Sequence, residues 1–534
     1  MAERKEKVTV RIINFRHPSH PAPDLKMLLA GELGLAHADI HKIRILKRST
    51  DARQARIDFV YTLLLSFEAE KAVLDKIVLR KDIELYHEKE AERLLKIGGV
   101  TKQPVIVGCG PAGIFAAITL LERGVKPIVI ERGERIKERA AAVENFWKHG
   151  TLNPSSNVLF GEGGAGTFSD GKLTTRIKAA HLKDKVFAAF VAGGADSQIM
   201  YLSKPHIGTD RLQNIIPCII DDLKKRGAEF LFKTDVTDIK IKAGNVTGVF
   251  AGGECIVTDH VFLAHGHSAR TTYRLLHTKG VLLEPKGFAV GVRIEHPQEF
   301  IDKAMYDDRI DKHKIGHAEY FLTYKDNETK RGVYTFCMCP GGYVVGCATS
   351  EGELCTNGMS AYKRNSPWAN AAVIVTIQQD DFSGNHLLNG ISFQEKLEQD
   401  AYLLGGKNFF APVQKAENFL NSKKDAEELS DTVCSYRPGI TGVNLNNLLP
   451  DFIAGPLQRG LKYFDSKIPG FISEGLLVGV ETRTSSPVRI VRQKKNFHSM
   501  NVKGLIPVGE GSGYAGGIIS SAVDGIKAAM YFDG

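Results

Sequence analysis

The stretch PVIVGCGPAGIFAAITLLERGVKPIVIERG, residues 104 to 133, constrains this chain more than any other. PVIVG reads as a buried strand, Gly108, Gly110 and Gly113 fall in the spacing GxGxxG, and a helical run opens at Pro111 and Ala112. KPIVI then reads as a second strand that ends at Glu131, about twenty residues after the first glycine. In a βαβ unit of this order the second glycine lets backbone approach a pyrophosphate, the helix N-terminus faces its charge, and the acid meets ribose hydroxyls. A tight βα turn without ligand is the plainer alternative.

The same spacing recurs twice. Gly161, Gly163 and Gly166 lie in NVLFGEGGAGTFSDGKLTT, where no helical run follows closely. Gly166 to Lys172 also fits GxxxxGK, but Leu173 stands where Ser or Thr must reach magnesium, which argues against an ATPase. Backbone this rich in glycine can lie flat against a large planar ligand. Gly511, Gly513 and Gly516 follow an apolar strand that ends at Glu510, and a last helix begins near Gly517 and Ile518 with its N-terminus free to face an electron-rich group.

Around these motifs the chain reads as several domains, as 534 residues suggest at about 150 each. Residues 1–90 give the order βαββαβ, an α+β ferredoxin-like arrangement, with Asp24 as N-cap of the first helix. Residues 91–103 are a polar linker. Residues 104–280 read as the first part of a Rossmann-type α/β domain, 281–465 as an inserted mixed β-sheet domain for substrate, and 466–534 as the C-terminal part of the Rossmann domain. The start MAERKEKVTV lacks an apolar run, so neither secretory leader nor membrane span is expected, and eight unevenly spaced cysteines fit a reduced, cytoplasmic setting.

Together the motifs support a resemblance. Gly108, Gly110 and Gly113 with Glu131 and Arg132, a strand closing in LAHGH, and VGE before a Gly-rich helix resemble the glutathione-reductase-type FAD proteins. GEGGAGTFSDGKL, GHSART, AVGVRIEHPQ, FCMCPGG and VETRTSSPVRI resemble, more narrowly, the FAD-dependent dehydrogenase family sometimes labelled NAD(FAD)-utilising dehydrogenases. His265 departs from the threonine that the superfamily often carries. The resemblance implies bound FAD and hydride-transfer chemistry on a small-molecule substrate that it does not name. It assigns Gly108, Gly110, Pro111, Ala112, Gly113, Glu131 and Arg132 to the ADP half, with Arg139 as a further cofactor candidate. Gly164, Gly166, Ser169, Glu510, Gly517 and Ile518 fall along the pyrophosphate, ribityl chain and flavin. Lys172 is placed near the isoalloxazine, where a cation favours the reduced anion, although a lysine on the cleft rim reads as well.

No second βαβ and no Cys-x4-Cys beside the first glycine loop are present, so NAD(P)H is expected as a transient reductant, or electrons come from a donor protein. His267 and His265 end a strand near the cofactor and can move protons or serve structurally. Glu481, Arg483 and Arg489 either clamp an acidic substrate or brace the cofactor floor. His313 and His317 have helical ligand spacing but no Glu-rich helix around them, and no metal is expected.

TFCMCPGGYVVGCA, residues 335 to 348, reads as a hairpin turning at Pro340-Gly341-Gly342. In an extended strand Cys337 and Cys339 share one face with Cα atoms roughly 6.6 Å apart, at the edge of disulfide tolerance, so no native bond between them is expected, while Phe336 and Met338 share the other. The strand resembles one that roofs the flavin in geranylgeranyl-reductase-like flavoproteins. Either the thiols face the flavin as proton donors or Phe336 and Met338 do, with the thiols packed behind. A competing reading has the first domain bind RNA through Phe59 and Tyr61, making the chain an RNA-associated flavoprotein for tRNA modification or scaffolding. The net charge of +9 permits nucleic acid but does not argue for it, since acids and bases are interspersed.

Overall fold

A computed structural model describes residues 5–18, 24–51, 57–87, 94–306, 315–382, 386–423, 425 and 434–533. His313 lies outside the described residues. The chain forms two compact units. The first comprises Met1–Arg93 with Asp196–Pro205 and Tyr306–His317, and the second comprises the remainder.

In the first unit β1 (Glu6–His17), α1 (Leu25–Leu33), β2 (Ile40–Asp51), β3 (Asp58–Ala69), α2 (Lys71–Val78) and β4 (Ile83–Leu85) follow the expected order. The strands make an antiparallel sheet in the order β2-β3-β1-β4. Asp24 caps α1, accepting from the amides of Lys26 and Met27, each at 3.0 Å. Alternation along β3 drives one face inward, so Phe59 and Tyr61 pack with Val10, Leu29, Leu33 and Ile77. They are 3% and 1% exposed, which removes them as stacking platforms for RNA bases. The excursion at 196–205 joins through a parallel bridge of Arg48 to Leu202, with the Arg48 amide donating to Tyr201 at 2.7 Å. Sequence order alone hides that contact.

The second unit holds β5 (Val105–Val107), α3 (Pro111–Glu122), β6 (Ile128–Ile130) and α4 (Ile136–His149). A parallel sheet runs in the order Leu505–Pro507, Val261–Leu263, β5, β6, Glu229–Leu231. The helix Ile518–Met530 packs against α3. The second large sheet has seven strands, in the order Thr323–Lys325, Gly332–Cys339, Trp368–Ile377, Phe288–Pro297, Leu476–Glu481, Ala411–Lys415, Ile440–Gly442. Its pairs are antiparallel except the last. Leu476–Glu481 lies past residue 465, where the sequence reading resumed the Rossmann domain. Buried at every residue, LLVGVE carries no alternation that separates a strand of this sheet from one of the parallel sheet.

The hairpin expected at 333–349 does not form. Gly332–Cys339 stays in the large sheet, whereas Tyr343–Gly346 pairs with Thr356–Met359 in a separate ribbon. Alternation also fails within the first strand: its pairing with Trp368–Ile377 shifts register between Phe336 and Cys339, and Cys337 takes a left-handed φ of 44°.

His296 on Phe288–Pro297 is fully buried and its Nε2 donates to the Phe471 carbonyl at 2.8 Å, which leaves Nδ1 without a partner. Burial pushes its pKa from 6.5 down to about 4. The unfolded chain therefore takes up the proton first, so this contribution to stability is complete above pH 6.5 and is lost as pH falls toward 4. Relative to His296→Gln, the wild type should lose on the order of 3 kcal/mol over that interval, read as the pH dependence of the difference between their urea midpoints.

Candidate functional site

The parallel sheet and the large sheet of the second unit both contribute to one cavity of about 1370 Å³. That exceeds an ordinary single-ligand pocket of roughly 300–1000 Å³ and leaves space for a dinucleotide together with a second molecule.

At the first glycine loop the three glycines divide the work. Gly108 has φ 106° and a Cβ there would stand 2.4 Å from the Ala264 carbonyl, so the turn itself demands it. A Cβ on Gly113 would stand 2.0 Å from the Gly108 carbonyl, so this glycine lets α3 seat on the strand and does not line the cavity. Gly110 is different: the one nearby atom is the Gly164 Cα at 3.8 Å, so its bareness serves the space beyond. Pro111 and Ala112 open α3 at the cavity wall, and no side chain caps that helix.

Glu131 lines the same end. Its carboxylate accepts from the amides of Cys109 at 2.9 Å, Gly133 at 3.0 Å and Gly161 at 2.9 Å, which ties the first two glycine loops together. Arg132 also lines the cavity, stacks its guanidinium 4.5 Å over Phe160, and keeps a buried Nε without partner. Arg139 does not reach the cavity. It is fully buried, and its guanidinium donates to the carbonyls of Asn157 at 2.8 Å, Glu162 at 2.6 Å and Val158 at 2.8 Å. It belongs to the scaffold of the second glycine loop, a role that its place on the amphipathic α4 could not reveal.

Gly164, Gly166 and Ser169 continue the wall, with Gly166 against Ile518. Gly516 and Gly517 open the last helix, again without a side-chain cap, and a Cβ at either would meet no protein atom within 4 Å. The same holds for Gly266. Glu510 lines the cavity and its Oε1 lies 3.2 Å from His267 Nδ1. His267 Nε2, the Ser268 hydroxyl and both ring nitrogens of His265 are buried without partners. Burial pushes His265 from 6.5 down to about 3, so it stays neutral at pH 7. Bare glycines, two uncapped helix starts and orphaned polar atoms along one wall fit a large polar cofactor carrying phosphates.

Phe336 and Cys337, Tyr334 and Phe321 line the far part of the cavity, while Met338 and Cys339 are buried. The expected contrast of one face against the other is therefore replaced: the bulge brings neighbours Phe336 and Cys337 to the cavity together. Lys172 lines it too, with Nζ 3.1 Å from Asp170 and donating to the Met338 carbonyl. Burial opposes its charge, but Cys339, Asp170 and Cys337 outweigh that and hold its pKa above the ordinary lysine value. Asp170 is 1% exposed and bonds Arg364 at 2.7 Å and Ser360. Burial works against its charge as well, yet Lys172 and Arg364 keep the carboxyl well below its usual range. Arg293, fully buried, donates to Glu481 at 2.9 Å and to the Cys337 carbonyl at 2.8 Å. Cys337 lies below the ordinary thiol value, first through its hydrogen bond with the Cys339 thiol; burial opposes this, and Lys172 and Arg293 support it.

Glu481, Arg483 and Arg489 are engaged within the protein. Arg483, which lines the cavity, grips Glu398 at 2.6 Å and so braces the wall, while Arg489, outside the lining, grips Glu284 at 2.7 Å. Asp170, Arg364, Arg293 and Glu398 were missed by sequence reasoning. Asp170 alone had a local signal, two positions from Lys172 in SDGK. Among the described residues no group of three or more His, Cys, Asp or Glu side chains is placed to hold a metal ion, and no helix is long and apolar enough to cross a membrane.

Residues 102–285 match the family described as pyridine nucleotide-disulphide oxidoreductase, and residues 287–484 match FAD-dependent protein, C-terminal domain-like. Residues 9–66 match a domain of unknown function. An uncharacterised protein of Clostridium beijerinckii is 44% identical over 511 residues, covering 95% of each chain. This chain belongs to the FAD-dependent oxidoreductase family. The cofactor of that family is FAD. Protein FixC of Salmonella typhimurium is 27% identical over 201 residues, which span 37% of this chain and 44% of FixC. A geranylgeranyl bacteriochlorophyll reductase-like protein of Thermoplasma acidophilum overlays with a TM-score of 0.32 at 14% identity, covering 80% of this chain and 76% of that one. The L-amino acid deaminase of Proteus myxofaciens overlays with 0.31 at 11% identity, covering 83% and 92%. At that overlap neither carries an argument about this chain.

Proposed function

We propose that this FAD-dependent oxidoreductase exchanges a hydride between the flavin and a small organic substrate held in the outer part of the cavity. The observation that carries the reading is continuity: one cavity runs from Gly110, Glu131 and Arg132 to Lys172, Phe336 and Cys337. Gly108, Gly110, Pro111, Ala112, Glu131 and Arg132 hold the ADP half. Gly164, Gly166, Ser169, Glu510, Gly517 and Ile518 hold the pyrophosphate, ribityl chain and flavin. FAD, when bound, supplies a two-electron carrier that takes up or gives a hydride. The chain's own residues supply the rest. Lys172, kept cationic by Asp170, sets a positive field at the cavity wall, which favours negative charge gained on reduction. His267, linked to Glu510, is placed to hold or pass a proton. Phe321, Tyr334 and Phe336 give the substrate end an apolar wall that limits water.

The domains of this reading are a ferredoxin-like module at 1–90, a linker at 91–103, and a Rossmann-type domain at 104–280 and 466–534 around an inserted substrate domain. The inserted domain's sheet borrows Leu476–Glu481. The ferredoxin-like module serves as a docking element, and a nicotinamide docks only in passing or a donor protein delivers electrons. The setting is cytoplasmic. Anaerobic titration of the FAD-loaded protein tests this: dithionite should bleach the flavin absorbance fully, while NADH and NADPH reduce it without a tight, saturable affinity. Saturation by either nucleotide at low micromolar concentration would replace transient docking with a dedicated site.

A further inference from the structure

Four neighbouring strands of the large sheet turn one face toward the cavity. In register, Tyr334 lies opposite Ile374, Ile374 opposite Gly291, and Gly291 opposite Glu481, so these four positions share that face. Phe336, two residues along from Tyr334, belongs to it as well, and Tyr334, Phe336 and Glu481 all line the cavity. Tyr334 packs on Ala289, Ala372 and Ile374, which make an apolar floor. Glu481 stands at the other edge of that floor, three strand spacings or roughly 14 Å from the Tyr334 backbone.

Glu481 is 3% exposed, and both its oxygens accept from one nitrogen, Nη1, of the buried Arg293, at 3.1 and 2.9 Å. The rest of that guanidinium is spent on the Asn370 side chain at 2.9 Å and the Cys337 carbonyl at 2.8 Å. Among the described residues no second donor meets the carboxyl. Burial pushes it up from 4.5 to about 7; Arg293 opposes that and Cys337 adds to it. The charges around it are otherwise committed. Arg483, two residues on, grips Glu398 of the helix Asn389–Leu404, and Lys172 is held by Asp170. Of the strands beside it, Thr356–Met359 brings the uncharged Asn357, and Ala411–Lys415 has its Lys415 opposite Leu476, at the far end. Burial keeps the nearby Cys347 thiol protonated.

We propose that Glu481 is the acid–base group of the substrate end, exchanging a proton with the oxygen or nitrogen of a C=O or C=N substrate while the adjoining carbon exchanges a hydride with the flavin. In the reducing direction the carbon forms its new C–H bond with the hydride, the π pair moves to the heteroatom, and the heteroatom takes the proton as the O–H bond of Glu481 breaks. The substrate thus gains a hydride and a proton, and the reduced flavin loses the hydride. The carboxylate left behind faces Arg293 and regains its proton from solvent through the cavity. The oxidising direction reverses each step. Lys172 cannot take this part at neutral pH, because Cys339, Asp170 and Cys337 hold its proton in place. The hydride half of the step rests on the function proposed above; the position and protonation of Glu481 do not.

The first test uses the full chain before FAD is added. Dicyclohexylcarbodiimide, an apolar reagent for protonated carboxyl groups, is applied across a pH series and its adducts are located by peptide mass mapping. Labelling of wild-type Glu481 should be nearly constant below pH 6, half-lost at about 7, and about a hundredfold lower at pH 9. An ordinary carboxylate loses about tenfold per pH unit from pH 6 upward. Glu398, buried away from the lining, should stay unlabelled. The second test loads FAD and follows the flavin midpoint potential against pH, which reads the protons taken up per two electrons. Near pH 7 the wild type should take up more than Glu481→Gln, because charge gained on the flavin is felt at the carboxyl. Glu481→Gln combined with Arg293→Gln repeats the comparison without a stranded guanidinium should the single variant fold poorly. Unlabelled Glu481, labelling that falls tenfold per unit from pH 6, or equal proton uptake in wild type and folded variant overturns the proposal. A chain that binds FAD but leaves Glu481 unlabelled loses this assignment and keeps the hydride reading, whereas one that binds no FAD loses both.

Discussion

Glu398→Ala should cost about 3–5 kcal/mol of folding stability. Glu398 on the helix Asn389–Leu404 is 0% exposed and takes two hydrogen bonds from Arg270, at 2.9 and 2.7 Å. It takes two more from Arg483, at 2.9 and 2.6 Å. Burial alone would favour its neutral form; Arg483 and Arg270 outweigh that and hold its pKa down to about 2. Glu353, 3.1 Å from Arg270, is the second acid of the group. Two buried guanidiniums thus share two carboxylates, and deleting one carboxylate strands positive charge in a dry interior. Glu395→Ala on the same helix is the control: its bond to Arg274 lies at the surface and should matter by less than about 1 kcal/mol. Urea unfolding of the three proteins, with equal slopes, decides the comparison.

Gly110→Ala should weaken FAD binding markedly while the apoprotein melts as before. The residue has φ −83°, which alanine adopts freely, and a new Cβ would meet nothing in the protein closer than 3.8 Å. What the methyl occupies is the approach to the cavity from the first turn of α3, where a pyrophosphate must come within hydrogen-bond reach of backbone amides. A loss of at least tenfold to a hundredfold in affinity follows, roughly 1.4–2.8 kcal/mol, read by fluorescence titration of the apoprotein. Gly113→Ala inverts the pattern. Its Cβ would stand 2.0 Å from the Gly108 carbonyl, so the fold itself should suffer. Equal FAD affinity in Gly110→Ala and wild type would remove the first glycine loop from the cofactor site.

The βαβ unit from 104 to 131 was readable because everything in it is local: apolar strand, glycine turn, helix and acid follow in order. The N-terminal order βαββαβ was readable for the same reason, with Asp24 acting at its own helix start. What escaped was set by partners distant in sequence. Arg139 looked like one more basic residue on a helix, and only the fold of 157–162 around it shows that its donors are spent on backbone carbonyls. Phe59 and Tyr61 sit on a strand where either face reads as buried until the helices are placed. Period-two alternation misplaced Phe336, Cys337 and Cys339 because it has no term for a register shift. Asp170 and Arg364, or Glu398 with Arg270 and Arg483, meet across gaps of more than eighty residues with no spacing to announce them.

Arg123 at the end of α3 donates to the carbonyls of Ala529 and Met530, the first of these 406 residues further along the chain. The strand Leu505–Pro507 likewise pairs at the far side of Val261–Leu263, the neighbour of β5. During synthesis one face of α3 and the sheet edge at Val261–Leu263 therefore stay uncovered until almost the whole chain has left the ribosome. Closing so long a loop is slow, and the apolar face of α3 is exposed throughout. Chains cut short before the final helix should aggregate rather than persist as a smaller oxidoreductase, so production of this protein depends on how well its last thirty residues survive to meet α3 and Val261–Leu263.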